Sequence, residues 1–302
     1  MLPSIVQGFE ANLSVIEQNK TLFVETNFVE RVDALERLEF QILDLIENVL
    51  YEHGYREELA RLQQRAGHMW QRLDAVNDQL FCRLRAQLAF DTDTTTTLPQ
   101  LFDTYVGRAV PTSNRDPLGY DCLDVFVDGL LSMESAPEET KAIQSGMIGY
   151  QATPARVILA FIEQAHLRAD DVFYDLGSGL GRIVLLVGLL SAAPAKGIEF
   201  EPAYCAYAQQ RAHGLHLARV TFINVDARQA DYADGTVFFM YTPFTGRLLQ
   251  EVLDKLQEEA RSRPITVATY GPCTLHVAQQ SWLQPPAGQT LHDRHVALFT
   301  SI

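Results

Sequence analysis

Asp171-Val-Phe-Tyr-Asp175-Leu-Gly177-Ser178-Gly179-Leu-Gly181-Arg182 decides how the rest of this chain is read. A short β-rich run stops at an acid, a tight glycine loop follows, and the apolar run from Ile183 to Leu190 opens a helix. Backbone N–H groups at a helix N-terminus attract negative or polar ligand atoms. Glycines let the backbone approach a ligand at positive φ. Strand, loop and helix start together make a nucleotide cradle.

Working outward, helix and strand patterns alternate from Pro154 onward. Helical apolar spacing runs over 155–166, 181–192, 202–213 and 246–260. Strand-like runs lie at 172–176, 195–200, 220–225, 236–240 and 265–270. Two more, at 282–283 and 295–301, are close enough in sequence to pair as a hairpin. This order predicts an α/β fold: a doubly wound, seven-stranded Rossmann-like sheet with helices on both faces, over residues 146–302.

The ligand is narrowed by three details. The glycines read Gly177-x-Gly179-x-Gly181, whereas a dinucleotide fingerprint places two residues before its third glycine. Asp175 precedes the loop, and a carboxylate there repels a pyrophosphate but suits the cationic, amine-bearing end of S-adenosylmethionine. Glu199 ends the next strand, placed to accept both ribose hydroxyls, and Asp226, with Ala227 behind it, ends the third, placed for the adenine amino group. Glu201 is a rival for the ribose role, but Glu201-Pro202 reads as the start of the following helix. Carboxyl ends of neighbouring strands are where such sheets bind ligands. Strand order, closing hairpin and these groups predict a class I S-adenosylmethionine-dependent methyltransferase.

Within that class, Tyr150-Gln-Ala-Thr153, a helix, and then Asp170 to Arg182 resemble the core of the Dot family (disruptor of telomeric silencing), over roughly residues 146–275. These are lysine methyltransferases on the class I fold. The resemblance implies that Tyr150 and Thr153 close over the methionine part of the cofactor, with Asp175, Gly177 and Gly179 at its methionine end. It also assigns Glu199 to the ribose and Asp226 to the adenine. Two departures stand out. Ala152 replaces a family glutamate, and Tyr241-Thr242-Pro243-Phe244 replaces an Asn-Asn-Phe stretch that lines the lysine channel. That tetrapeptide also resembles the Asp/Asn-Pro-Pro-Tyr/Phe loop of amine-methylating enzymes, so Tyr241 and Phe244 are the candidates for packing on the acceptor. The basic tail with which the family grips nucleosomes has no counterpart here.

Residues 1–145 read as an all-α domain. Leu35, Leu38, Ile42, Leu45 and Val49 recur at alternating spacings of three and four, as do Leu59, Leu62, Ala66, Met69, Leu73, Val76 and Leu80. Gly54 lies between as an αL stop, which predicts a helical hairpin over about 29–90. Such seams either make a homodimer or recruit a partner, or they bury their stripes in the chain's own bundle, which is the economical reading. Asp91 to Thr97 predicts a turn or mobile loop, 111–117 another loop, and 118–131 a short helix.

Charge narrows the partners. The net charge is −14, and residues 1–150 carry 24 acidic against 12 basic side chains. An acidic surface disfavours bare nucleic acid and favours a basic acceptor. The four cysteines form no CxxC pattern, so they read as reduced thiols of a cytoplasmic protein, with no metal framework. No apolar run is long enough to span a bilayer.

Methyl transfer is mostly positioning and desolvation. Site residues are therefore expected as Tyr150, Thr153, Asp175, Gly177, Ser178, Gly179, Gly181, Glu199, Asp226 and Ala227 for the cofactor, and Tyr241 and Phe244 at the transfer point. His292 and His295 flank the last hairpin and read as exposed. The expected activity is N-methylation of a protein side-chain amine. A metabolite methyltransferase and a catalytically silent cofactor-binding interaction protein are the alternatives.

Overall fold

A computed structural model of the chain describes residues 2–53, 57–107, 119–133, 135–288 and 290–302. The αL stop at Gly54 and the loop at 111–117 lie outside these residues. The chain divides into two units, Met1–Phe90 with Pro99–Asp116 and Asp121–Leu130, and Asp91–Leu98 with Pro117–Tyr120 and Leu131–Ile302.

In the first unit, α1 (Leu2–Gln18), α2 (Phe28–Leu38), α3 (Asp44–His53) and α4 (Glu57–Ala89) carry the apolar stripes. Leu59, Leu62, Ala66, Met69 and Leu73 of α4 meet Leu38 and Ile42, with Phe9, Leu13 and Ile16 of α1 joining the same core. The seams are thus covered within the unit. Their spacing departs from expectation at one place. Glu39–Leu43 forms a π-turn, which takes up one extra residue per turn and shifts the buried face by one. Ile46 is therefore buried where Leu45 is expected, and Leu45 is 45% exposed.

Val76 is likewise passed over for Asn77. The Asn77 Oδ1 accepts 2.7 Å from Nε of the fully buried Arg31, whose Nη1 donates to the Leu22 and Val24 carbonyls. A buried guanidinium without such partners would be costly. Phe126, on α6 (Cys122–Leu131), gathers the rings of Phe28, Phe81, Phe102 and Tyr105.

The turn predicted over 91–97 is instead the start of α5 (Thr94–Tyr105). Asp93 caps it: its carboxylate accepts from the Thr95 hydroxyl, and its carbonyl from the Thr96 and Thr97 N–H groups. Threonine and aspartate favour helix starts as readily as turns, and the sequence alone does not separate the two.

The second unit is built on a seven-stranded sheet: β1 (Phe173–Leu176), β2 (Ala195–Glu199), β3 (Val220–Asn224), β4 (Val237–Tyr241), β5 (Thr266–Tyr270), β6 (Leu283–Gln284) and β7 (Ala297–Ser301). The order is β3-β2-β1-β4-β5-β7-β6. The first five strands are parallel, and β7 runs antiparallel between β5 and β6. Between them run α7 (Ala155–Ala165), α8 (Arg182–Leu190), α9 (Pro202–Gly214), α10 (Gly246–Ala260) and the five-residue α11 (Cys273–Val277), which the spacing does not announce. Every residue of β1 is buried, and so is every residue of α8 except Leu190. Strands covered on both faces read as continuous apolar runs. The order reverses between β1 and β4, so a crevice opens where β1 and β4 end.

Residues 131–145, expected with the helical part, belong to the sheet unit. The Glu201 carboxylate explains it by binding the Thr140 hydroxyl at 2.6 Å and the Lys141 N–H at 2.7 Å.

Candidate active site

The carboxyl ends of β1, β2 and β4 border a cleft of about 410 Å³, within the range of small-molecule sites. Tyr150, Thr153, Asp175, Gly177, Ser178, Gly179, Glu199, Ala227, Tyr241 and Phe244 line it. So ten of the residues singled out from the sequence, drawn from five separate stretches, converge on one space.

The acids face it differently. Asp175, at the end of β1, is only 3% exposed, and none of the described residues donates a hydrogen bond to its carboxylate. Burial first, and the Glu199 charge second, push it up to about 8. Glu199 has partners. Its Oε2 accepts from the Gly179 N–H at 2.7 Å and its Oε1 from the Glu201 N–H at 2.7 Å. Burial raises Glu199, and these amides pull the other way. A carboxylate has about four acceptor positions, so Glu199 braces the glycine loop and can still accept from a ligand.

The glycines are required by close approach. Gly177 has φ +82, and a β-carbon there would lie 2.4 Å from the Pro243 Cβ; at Gly179 (φ +52) it would meet the Tyr150 ring at 2.4 Å. The loop after β1 therefore packs against both walls of the cleft. Gly181 has a different task from the one its motif position suggests. It is absent from the lining, caps α8 at φ +87, and lies against Phe222 and Ala208. Ser178 lines the cleft, and its buried hydroxyl has no hydrogen-bond partner among the described residues.

Asp226 is the other correction. It does not line the cleft; Val225 and Ala227 on either side do. Arg228 takes its carboxylate through Nη2 at 2.6 Å, Nε at 2.9 Å and its own backbone N–H at 2.9 Å. Those bonds hold Asp226 below the usual carboxylate range. The i,i+2 spacing of Asp226 and Arg228 is the sequence signal for this pairing.

Opposite the glycine loop, Tyr241-Thr242-Pro243-Phe244 turns sharply. Thr242 has φ +42, which is strained for a β-branched residue. Its hydroxyl donates to the Tyr270 carbonyl at 3.2 Å and accepts from the Cys273 N–H at 3.1 Å. Tyr241 pairs with Tyr270 across β4 and β5, their rings 4.9 Å apart. Burial first, then Tyr120 and Tyr270, push the Tyr241 phenol up to about 12. It therefore stays protonated at neutral pH and can offer a ring surface or an O–H donor. Segment 146–148 is stitched to this turn: the Ile148 N–H donates to the Pro243 carbonyl at 3.1 Å, and the Thr245 N–H to the Gly146 carbonyl at 2.7 Å. That stitching sets Tyr150 beside Gly179.

Thr242 and Pro243 of the same tetrapeptide also line the cleft, as do Ile143, Lys141 and Phe200, which do not follow from motif spacing alone. His292 and His295 are exposed and lie outside the lining.

Known proteins match the same region. Residues 146–257 match the family described as histone methylation protein DOT1. A histone-lysine N-methyltransferase, H3 lysine-79 specific, from Cryptococcus neoformans is 40% identical over 78 residues, 25% of this chain. The match spans 12% of that relative's length. Among solved structures, an RNA methyltransferase from Salinibacter ruber with S-adenosyl-L-homocysteine is 27% identical, covering 50% of this chain and 92% of its own at a TM-score of 0.41. A precorrin-6y C5,15-methyltransferase from Geobacter metallireducens is 18% identical over 53% and 92%, at 0.38.

Proposed function

We propose that this chain, with its DOT1-like core, is an S-adenosylmethionine-dependent methyltransferase that N-methylates a lysine-type amine of a protein. The observation that carries the proposal is Asp175, a buried carboxylate that lines the cleft and accepts no hydrogen bond from the described residues. It suits an ammonium group, because an opposite charge within a few ångströms offsets the cost of burial. Glu199 keeps acceptor positions for hydroxyls, Gly177 and Gly179 allow close approach, and the backbone between Val225 and Ala227 borders the ring end. Tyr150 and Thr153 flank the methionine end.

The bound cofactor supplies an electrophilic methyl group. The chain's own residues hold it, orient the acceptor and exclude water. Tyr241 and Phe244 offer the acceptor an aromatic surface, and Thr242 fixes their turn. A basic protein suits the acidic balance of residues 1–150. Cys82, Cys122, Cys205 and Cys273 are in no disulfide, which supports a reducing compartment, the cytoplasm, as the setting. Most of the helical seams is covered within its own unit, which favours the intramolecular bundle over a homodimer through them.

Calorimetry with S-adenosylmethionine and its demethylated product tests the donor half: micromolar or tighter binding is expected, and no binding of either ends the proposal. Incubation with a labelled methyl donor and basic proteins such as core histones tests the acceptor half. Label in acid-stable methyl-lysine is expected; label confined to small molecules would replace the protein acceptor with a metabolite.

A further inference from the structure

The segment 135–149 has no regular secondary structure over most of its length, yet Glu139, Lys141 and Ile143 line the cleft. It acts as a strap along one wall, and its attachments are unequal. Glu139 accepts from the Tyr204 hydroxyl at 2.9 Å, and Gln144 accepts from Arg228 at 3.2 Å. The middle attachment is different in kind. Glu201 is 6% exposed and holds the strap twice, through the Thr140 hydroxyl at 2.6 Å and the Lys141 N–H at 2.7 Å. The same carboxylate accepts from the Ala203 N–H at 2.9 Å and so caps α9. Lys141 then lies over the Phe200 ring at 4.3 Å and donates to the Phe200 carbonyl at 3.0 Å.

We infer that Glu201 is a positioning residue: it fastens the strap to the rigid start of α9 and thereby sets how long a ligand stays in the cleft. The inference rests on the methyltransferase reading above and deepens it. Charge-assisted hydrogen bonds are roughly twice as strong as neutral ones, and among the described residues this is the one attachment of the strap in which a buried carboxylate takes two of them at once. Burial raises Glu201, but its bonds to Thr140, Ala203 and Lys141 outweigh that and hold it at about 2. The fastening therefore persists across the physiological range. Glu201 borders the cleft as Glu199 does, but its oxygens take three bonds from the strap and α9, so Glu199 is the acid left for the ribose.

The test uses Glu201→Gln and Thr140→Val in the full chain; the second removes only the strap side and leaves the α9 cap in place. Two quantities are read: tryptic cleavage after Lys141 without ligand, and the dissociation rate of S-adenosylhomocysteine. Both variants should be cleaved at least fivefold faster and should release the ligand at least fivefold faster. The KM for the donor should rise while kcat at saturation does not fall, and Glu201→Asp should recover part of the wild-type off-rate. Wild-type values for both, or a change in one without the other, overturn the inference. If the wild-type protein binds no S-adenosyl compound, the functional reading fails by itself. The cleavage rates then show on their own whether Glu201 fastens the strap.

Discussion

Pro243 stands over Gly177 so closely that a β-carbon at position 177 would lie 2.4 Å from the Pro243 Cβ. The glycine belongs to the loop after β1, the side proposed for the donor, and the proline to the turn after β4, the side proposed for the acceptor. One contact therefore registers the two halves of the cleft against each other. A turn that must place an acceptor within about 3–3.5 Å of a reacting atom needs that kind of reference point.

Gly177→Ala meets two penalties. The φ of +82 costs an L-residue roughly 1–2 kcal/mol, and the new methyl pushes Pro243 away. A lower melting midpoint and a loss of S-adenosylhomocysteine binding of at least tenfold are expected. Adding Pro243→Gly should relieve the clash and recover part of the midpoint but not the turnover, because the turn has then lost its contact. Differential scanning fluorimetry with calorimetry reads both.

Asp175 makes binding and stability respond to pH in opposite directions. Its folded value, about 8, lies above the ordinary 3.8. A raised acid favours the folded state at low pH, and that contribution is lost as pH rises from about 4 through about 8. Ligand-free stability relative to Asp175→Asn should therefore fall over that window. A cationic ligand favours the ionised form, so affinity for the donor should rise with pH up to about 8, and Asp175→Asn should flatten that rise. A pH-independent affinity in the wild type would remove Asp175 from the cation's site.

Thr242→Gly separates strain from position. Glycine relieves the positive φ, which costs a β-branched residue roughly 1–3 kcal/mol, but deletes the bonds to Tyr270 and Cys273. Stability should stay close to wild type while kcat falls at least tenfold with little change in donor KM. A parallel fall in stability and turnover would mean that Thr242 only holds the fold.

Legibility in the sequence followed local chemistry. The β1 run, its glycine loop and the acids of β1 and β2 are marked by adjacent residues, so that wall of the cleft is readable from spacing. Three features were not readable, for three reasons. The π-turn at Glu39–Leu43 leaves no mark in composition, so Leu45 reads as buried and Ile46 is. Asp93 caps a helix with residues that equally make turns. The strap at 135–149 has no periodicity, because its order comes from Glu201, some sixty positions along the chain.

Asp226 gives the sharpest test of the ring end. Its carboxylate points to Arg228, whose side chain is 35% exposed, while its neighbours Val225 and Ala227 line the cleft. For Asp226 to meet an amino group of the ligand, that pair must loosen. Partly exposed ion pairs are worth about 0–1 kcal/mol, so the cost is small and its removal measurable. Arg228→Gln should tighten S-adenosylhomocysteine up to about fivefold, the equivalent of about 1 kcal/mol. Asp226→Ala should weaken it, and the double variant should match Asp226→Ala, because freeing a carboxylate that is gone changes nothing. Calorimetry on the four proteins decides it. If Arg228→Gln and Asp226→Ala both bind as the wild type does, the pair is a surface brace, and recognition of the ring rests on the backbone at Val225 and Ala227.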